Sequence, residues 1–129
     1  MSKLYKIGED SLTLTMISDI LESGTALSLS LKAKNNINNC RDFLDKKIVE
    51  SNKPIYGINT GFGSLCNHKI ETKELEQLQR NLVLSHACGT GETVPPKIVK
   101  IMLLLKIHAL SYGYSGVQLI TVERLVDMF

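Results

Sequence analysis

The chain has 129 residues, an ordinary hydrophobic share of 43%, and 15 basic against 13 acidic side chains for a formal net charge of +2. That is enough for one domain with its own core and too little for two. Only Arg41, Arg80 and Arg124 are arginines, the lysines are scattered and tryptophan is absent, so the basic, aromatic-studded face of a nucleic-acid binder is not expected.

The pattern predicts a mainly helical chain behind a small N-terminal β-hairpin. Leu4-Tyr5-Lys6-Ile7 and Leu12-Thr13-Leu14 alternate in character around the turn-rich Gly8-Glu9-Asp10-Ser11, which gives a hairpin over about 4–14. A short helix follows over about 16–23, with Thr15 as its cap and Gly24 as its left-handed stop. Ala33, Ile37, Cys40, Leu44 and Ile48 form one helical stripe, so a longer helix is expected over about 29–51. Pro54 disfavours helical geometry at Lys53 and ends it.

A third helix is expected over about 72–87, capped by Thr72, with Glu74 and Glu76 at its positive end and Leu75, Leu78 and Leu82 facing inward. Pro95-Pro96 opens a fourth over about 96–112 that is apolar nearly all round and therefore needs neighbours on most sides. Ser115-Gly116-Val117-Gln118 reads as a capping box for a fifth over about 116–129. That helix carries Val122, Leu125, Val126, Met128 and Phe129 and stops without a cap or polar tail, so the chain is expected to be the front piece of a longer one; a partner interface is the other reading.

No stretch suits a membrane or a leader. The opening MSKLYKIGED has no apolar run, and Ile101 to Leu105 is broken by Lys106 and far too short to span a bilayer. Cys40, Cys66 and Cys88 are odd in number and lack C-x-x-C spacing, which points to a reduced, cytoplasmic chain with buried or idle thiols and no metal site.

Two segments carry possible chemistry. Tyr56 heads YGINTGFGS, whose spacing Gly57-x-x-x-Gly61-x-Gly63 fits neither dinucleotide nor P-loop patterns. It is either a turn packed under its own side chains or a loop that delivers a phenol to a reaction site. A phenol ionises near ~10 and serves as a base only where a site stabilises its anion. Ser85-His86 closes the third helix just before a second flexible stretch, Gly89-Thr90-Gly91. His86 falls on the stripe of Leu75 and Leu82, so a core histidine and a site histidine are both open readings. His68 and His108 read as ordinary structural histidines.

In this order, YGINTGFGS, LQRNLVLSHACGTGE and IMLLLKIHALSYGYSGVQL resemble the N-terminal part of the aromatic amino acid lyases, in their histidine-using bacterial branch, from about Leu12 to Phe129. The resemblance implies the helical N-terminal portion of an aspartase/fumarase-like lyase fold over 1–129. It implies elimination of ammonia from L-histidine to give trans-urocanate, with Tyr56 as the base taking a β-proton. His86 and Ser85 would hold the substrate ring where phenylalanine-using members carry an apolar pair, and Asn59, Gly61 and Gly63 would complete the substrate-binding set. The family's electrophile, methylidene-imidazolone (MIO), forms from an internal Ala-Ser-Gly, and its site is assembled across a homotetramer.

No Ala-Ser-Gly occurs here; Glu22-Ser23-Gly24 and Tyr114-Ser115-Gly116 share two residues of three by chance. The family's triad lies a little beyond this point, so the 129 residues alone are expected to be inactive. A tyrosine- or phenylalanine-using lyase or aminomutase is the near alternative, and a stand-alone helical interaction module the distant one.

Overall fold

The computed structural model describes residues 4–51 and 53–129. They form two units, one made of the chain up to Val49 together with Val94–Phe129, the other of Glu50–Thr93. The first unit begins with strand β1 (Leu4–Ile7), helix α1 (Leu14–Ser23), strand β2 (Ala26–Leu29) and helix α2 (Leu31–Glu50). It closes with α4 (Pro96–Ser111) and α5 (Leu119–Met128), while α3 (Leu75–His86) belongs to the second unit.

The expected N-terminal hairpin does not form. β1 pairs with β2 in parallel, in the register Leu4↔Ala26 to Ile7↔Leu29. Leu12-Thr13-Leu14 is too short to commit to a strand, and Thr13 instead caps α1, its Oγ1 accepting the Met16 N–H at 3.2 Å. The cap is thus Thr13 and not Thr15. Gly24, at φ 61°, ends α1 in the left-handed region and donates its N–H to the Ile20 carbonyl, as its residue type predicts. The chain then runs straight into β2, and parallel pairing follows because α1 has carried it back across the sheet.

Ile7, Leu27 and Leu29 of the strands are buried with Ile20 of α1, Ala33 and Ile37 of α2, Leu104, Ile107 and Leu110 of α4, and Val122 of α5. The α2 stripe read from the sequence therefore holds, deepest at Ala33 and Ile37 and half-buried at Cys40, Leu44 and Ile48. A Lys34–Glu123 ion pair of 2.8 Å joins α2 to α5. Within its own unit α4 buries only one side: Ile98, Met102 and Leu105, spaced along one face, remain exposed.

The link from α4 to α5 presses against α2. Gly113, at φ 76°, sits where a Cβ would lie 2.4 Å from the Asn36 carbonyl oxygen. At Gly116 a Cβ would meet Leu44, and the Arg41 guanidinium donates to the Gly116 carbonyl at 3.3 Å. With Gly116 held at φ 65°, the helix cannot begin at the expected capping box; α5 starts at Leu119, with an extended Gln118 before it and no side-chain cap. Among the described residues no helix is long and apolar enough to cross a membrane. None of the three thiols is fully buried, and Cys88 is exposed.

Candidate active site

Every site residue expected from the sequence lies in the second unit, on the loop after α2 or at the end of α3. The loop is tied by its own backbone. Ile55 accepts the N–H groups of Ile58 and Asn59, each at 3.1 Å, which closes a turn with Tyr56 at its tip. Gly57 follows at φ 74°, a left-handed conformation that costs glycine little. An antiparallel bridge between Thr60 and Lys69 then fastens the far side, with Gly61 donating to the His68 carbonyl at 3.1 Å and Ile70 donating to the Asn59 carbonyl at 2.8 Å.

The Tyr56 side chain is 65% exposed and meets the Phe62 ring edge-on, centroids 6.2 Å apart. The backbone of the stretch thus packs under itself, and the phenol points out of it. Asn59 and Thr60 are the buried polar members of the stretch. The Asn59 amide is occupied, its Oδ1 accepting the Ile55 N–H at 2.6 Å and its Nδ2 donating to the Lys53 carbonyl at 3.3 Å. Gly61, also buried, directly follows the bridge, whereas Gly63 opens a short 3-10 turn over Gly63–Leu65 with open space where a Cβ would stand.

The third helix forms over Leu75–His86 behind a 3-10 turn at Thr72–Glu74, so its N-cap is Glu74, with no side-chain cap, and not the expected Thr72. Leu75, Leu78 and Leu82 are only half-buried, and the core reading of His86 is not met, because its imidazole is exposed. Its Nδ1 lies 2.9 Å from the Leu82 carbonyl oxygen and 3.0 Å from Ser85 Oγ, while Ser85 Oγ donates to the same carbonyl at 2.9 Å. A carbonyl oxygen only accepts, so Nδ1 carries the proton in this contact. With the proton on Nδ1, Nε2 of a neutral imidazole is an acceptor that has no partner among the described residues, suited to an N–H or O–H of a polar ring.

Ser85 and His86 are thus joined, but among the described residues no hydrogen bond or ring contact links either of them to Tyr56 or Asn59. Sequence reasoning passed over Phe62, the ring against Tyr56, and Gly57, which with Gly63 holds the positive φ angles of the stretch. Adjacency to Tyr56 was the signal available for Gly57, and a second aromatic ring in the same glycine-rich stretch the signal for Phe62. The 129 residues hold no Ala-Ser-Gly, the triad from which the MIO group would form. Among the described residues no group of three or more His, Cys, Asp or Glu side chains is placed to hold a metal ion.

The sequence pattern of the aromatic amino acid lyases matches residues 12–129, and the chain belongs to that family. It is 44% identical over 129 residues to a histidine ammonia-lyase of Legionella pneumophila, covering 100% of this chain and 25% of that protein. The crystal structure of histidine ammonia-lyase from Trypanosoma cruzi superposes with a TM-score of 0.80 at 33% identity, over 96% of this chain and 24% of the other. The phenylalanine aminomutase of Pantoea agglomerans shares the fold at a TM-score of 0.86 and 24% identity, over 98% and 24% of the two chains. The chain spans about a quarter of the length of the curated relatives it matches.

Proposed function

We propose that these residues are the N-terminal portion of a histidine ammonia-lyase, which eliminates ammonia from L-histidine without hydrolysis and releases trans-urocanate. The observation that carries this is the 44% identity over the whole chain to a relative of that name. Tyr56 is the base: its phenolate takes a β-proton, and its exposed position at the tip of a closed turn suits that task. His86, held by Leu82 and Ser85 with Nε2 free, accepts the N–H of the substrate imidazole, and Ser85 adds a hydroxyl beside it.

In this family the MIO electrophile activates the substrate so that ammonia can leave; here it would form from an Ala-Ser-Gly outside these 129 residues. The chain alone is therefore inactive, and the complete protein is a homotetramer working in the cytoplasm, without metal, nucleic acid or membrane as partner. The test is an assay of the full-length protein on histidine, tyrosine and phenylalanine. Histidine should give a product absorbing in the near ultraviolet and the other two none. Turnover of tyrosine or phenylalanine in its place would assign the chain to a sister lyase or aminomutase.

A further inference from the structure

We propose that Asn59 is a positioning residue that fixes the turn presenting Tyr56, and is not a ligand of the substrate. The inference rests on the reading of Tyr56 as the base. Pro54 has no N–H, and the two backbone groups that flank it, the Lys53 carbonyl and the Ile55 N–H, are both taken by the one Asn59 amide, at 3.3 and 2.6 Å. The Asn59 main chain completes the closure, donating to the Ile55 carbonyl at 3.1 Å and accepting from Ile70 at 2.8 Å. At 5% exposure the side chain has little surface left to offer a ligand, whereas Tyr56, three residues earlier, is 65% exposed.

The residue type is dictated by this pattern. An acceptor and a donor must sit on one short planar group. Aspartate keeps the acceptor but loses the donor and brings a charge against the Lys53 carbonyl. Alanine loses both and leaves two backbone groups short of their partners. In each case the peptide leading into Tyr56 is released, and a base displaced by about an ångström loses much of its effect.

The test is a cycle of Tyr56→Phe, Asn59→Ala and the double variant in the full-length enzyme, with hydrogen exchange measured over residues 53–59. Asn59→Ala should lower kcat on the order of ten- to a hundredfold with KM for histidine essentially unchanged. Asn59→Asp should fall between it and the parent, and the double variant should be no slower than Tyr56→Phe alone, since Asn59 acts through Tyr56. Multiplying effects, a raised KM with normal kcat, or unchanged kcat would overturn the proposal. If Asn59→Ala does not fold, Asn59→Asp carries the same comparison. If Tyr56→Phe keeps its turnover, the base reading has failed instead. Asn59 is then judged by exchange, where faster exchange in its variants supports the clamp and unchanged exchange overturns it.

Discussion

Replacing Gly113 by alanine would strain the first unit in two ways that the structure separates. The backbone there is left-handed, at φ 76°, which costs an alanine roughly 1–2 kcal/mol. The added Cβ would also lie 2.4 Å from the Asn36 oxygen and 2.6 Å from its carbonyl carbon, against ordinary contacts of 3.4–4 Å. These are main-chain atoms of α2 and cannot swing aside as a side-chain tip can. Parting helix from loop by about an ångström adds a further ~1–3 kcal/mol, the usual scale of overpacking. The sum, about 2–5 kcal/mol, is a large part of the ~5–15 kcal/mol that holds a typical domain folded. Gly24→Ala is the control: its φ is 61°, but nothing lies within 4 Å of the new Cβ, so only the backbone cost applies. Urea unfolding followed by circular dichroism should place the Gly113 variant well below the Gly24 variant in midpoint. Equal midpoints would refute the assignment of Gly113 as the close contact between α2 and the α4–α5 link.

Tyr56→Phe in the full-length enzyme should lower turnover on histidine by ~10²–10⁴-fold, the range of a lost general base, with an unchanged melting curve; near-normal turnover would remove Tyr56 from the chemistry. Tyr5 offers a pH experiment. Burial pushes its phenol above the ordinary value of 10.0, with the Asp10 and Glu9 carboxylates adding to it. The folded state therefore holds the proton more tightly than the unfolded one, so stability should be flat below pH ~10 and fall as pH rises from there towards the folded value. Tyr5→Phe should flatten that decline. It should also leave stability at neutral pH unchanged or slightly higher, because the buried Tyr5 hydroxyl has no hydrogen-bond partner among the described residues to lose.

Periodicity made the helices legible because burial repeats along them; the stripe from Ala33 to Ile48 needed no knowledge of its neighbours. The N-terminal strands were less so. Three alternating residues, Leu12 to Leu14, fit a strand edge and a helix start equally well, and the partner of β1 lies on the far side of α1, where no local pattern points to it. The start of α5 was misplaced for a different reason: Ser115-Gly116-Val117-Gln118 has the letters of a capping box, but Gly116 is taken up in a close approach to Leu44. In the second unit the sequence offers candidate residue types but not their states. That Asn59 spends its amide on Lys53 and Ile55, and that His86 stands exposed, depend on how the chain folds back on itself.

The same-direction pairing of Leu4–Ile7 with Ala26–Leu29 ties the chain's opening residues to a partner made only after a complete helix has intervened. During synthesis the first strand must wait, unzipped, until Leu29 has emerged and α1 has reversed the path. Clipping the protein after Ile7 would strip one whole side of the sheet and bare the main-chain donors and acceptors of Ala26–Leu29 to any neighbouring strand, a route to clumping that an N-terminal protease would open.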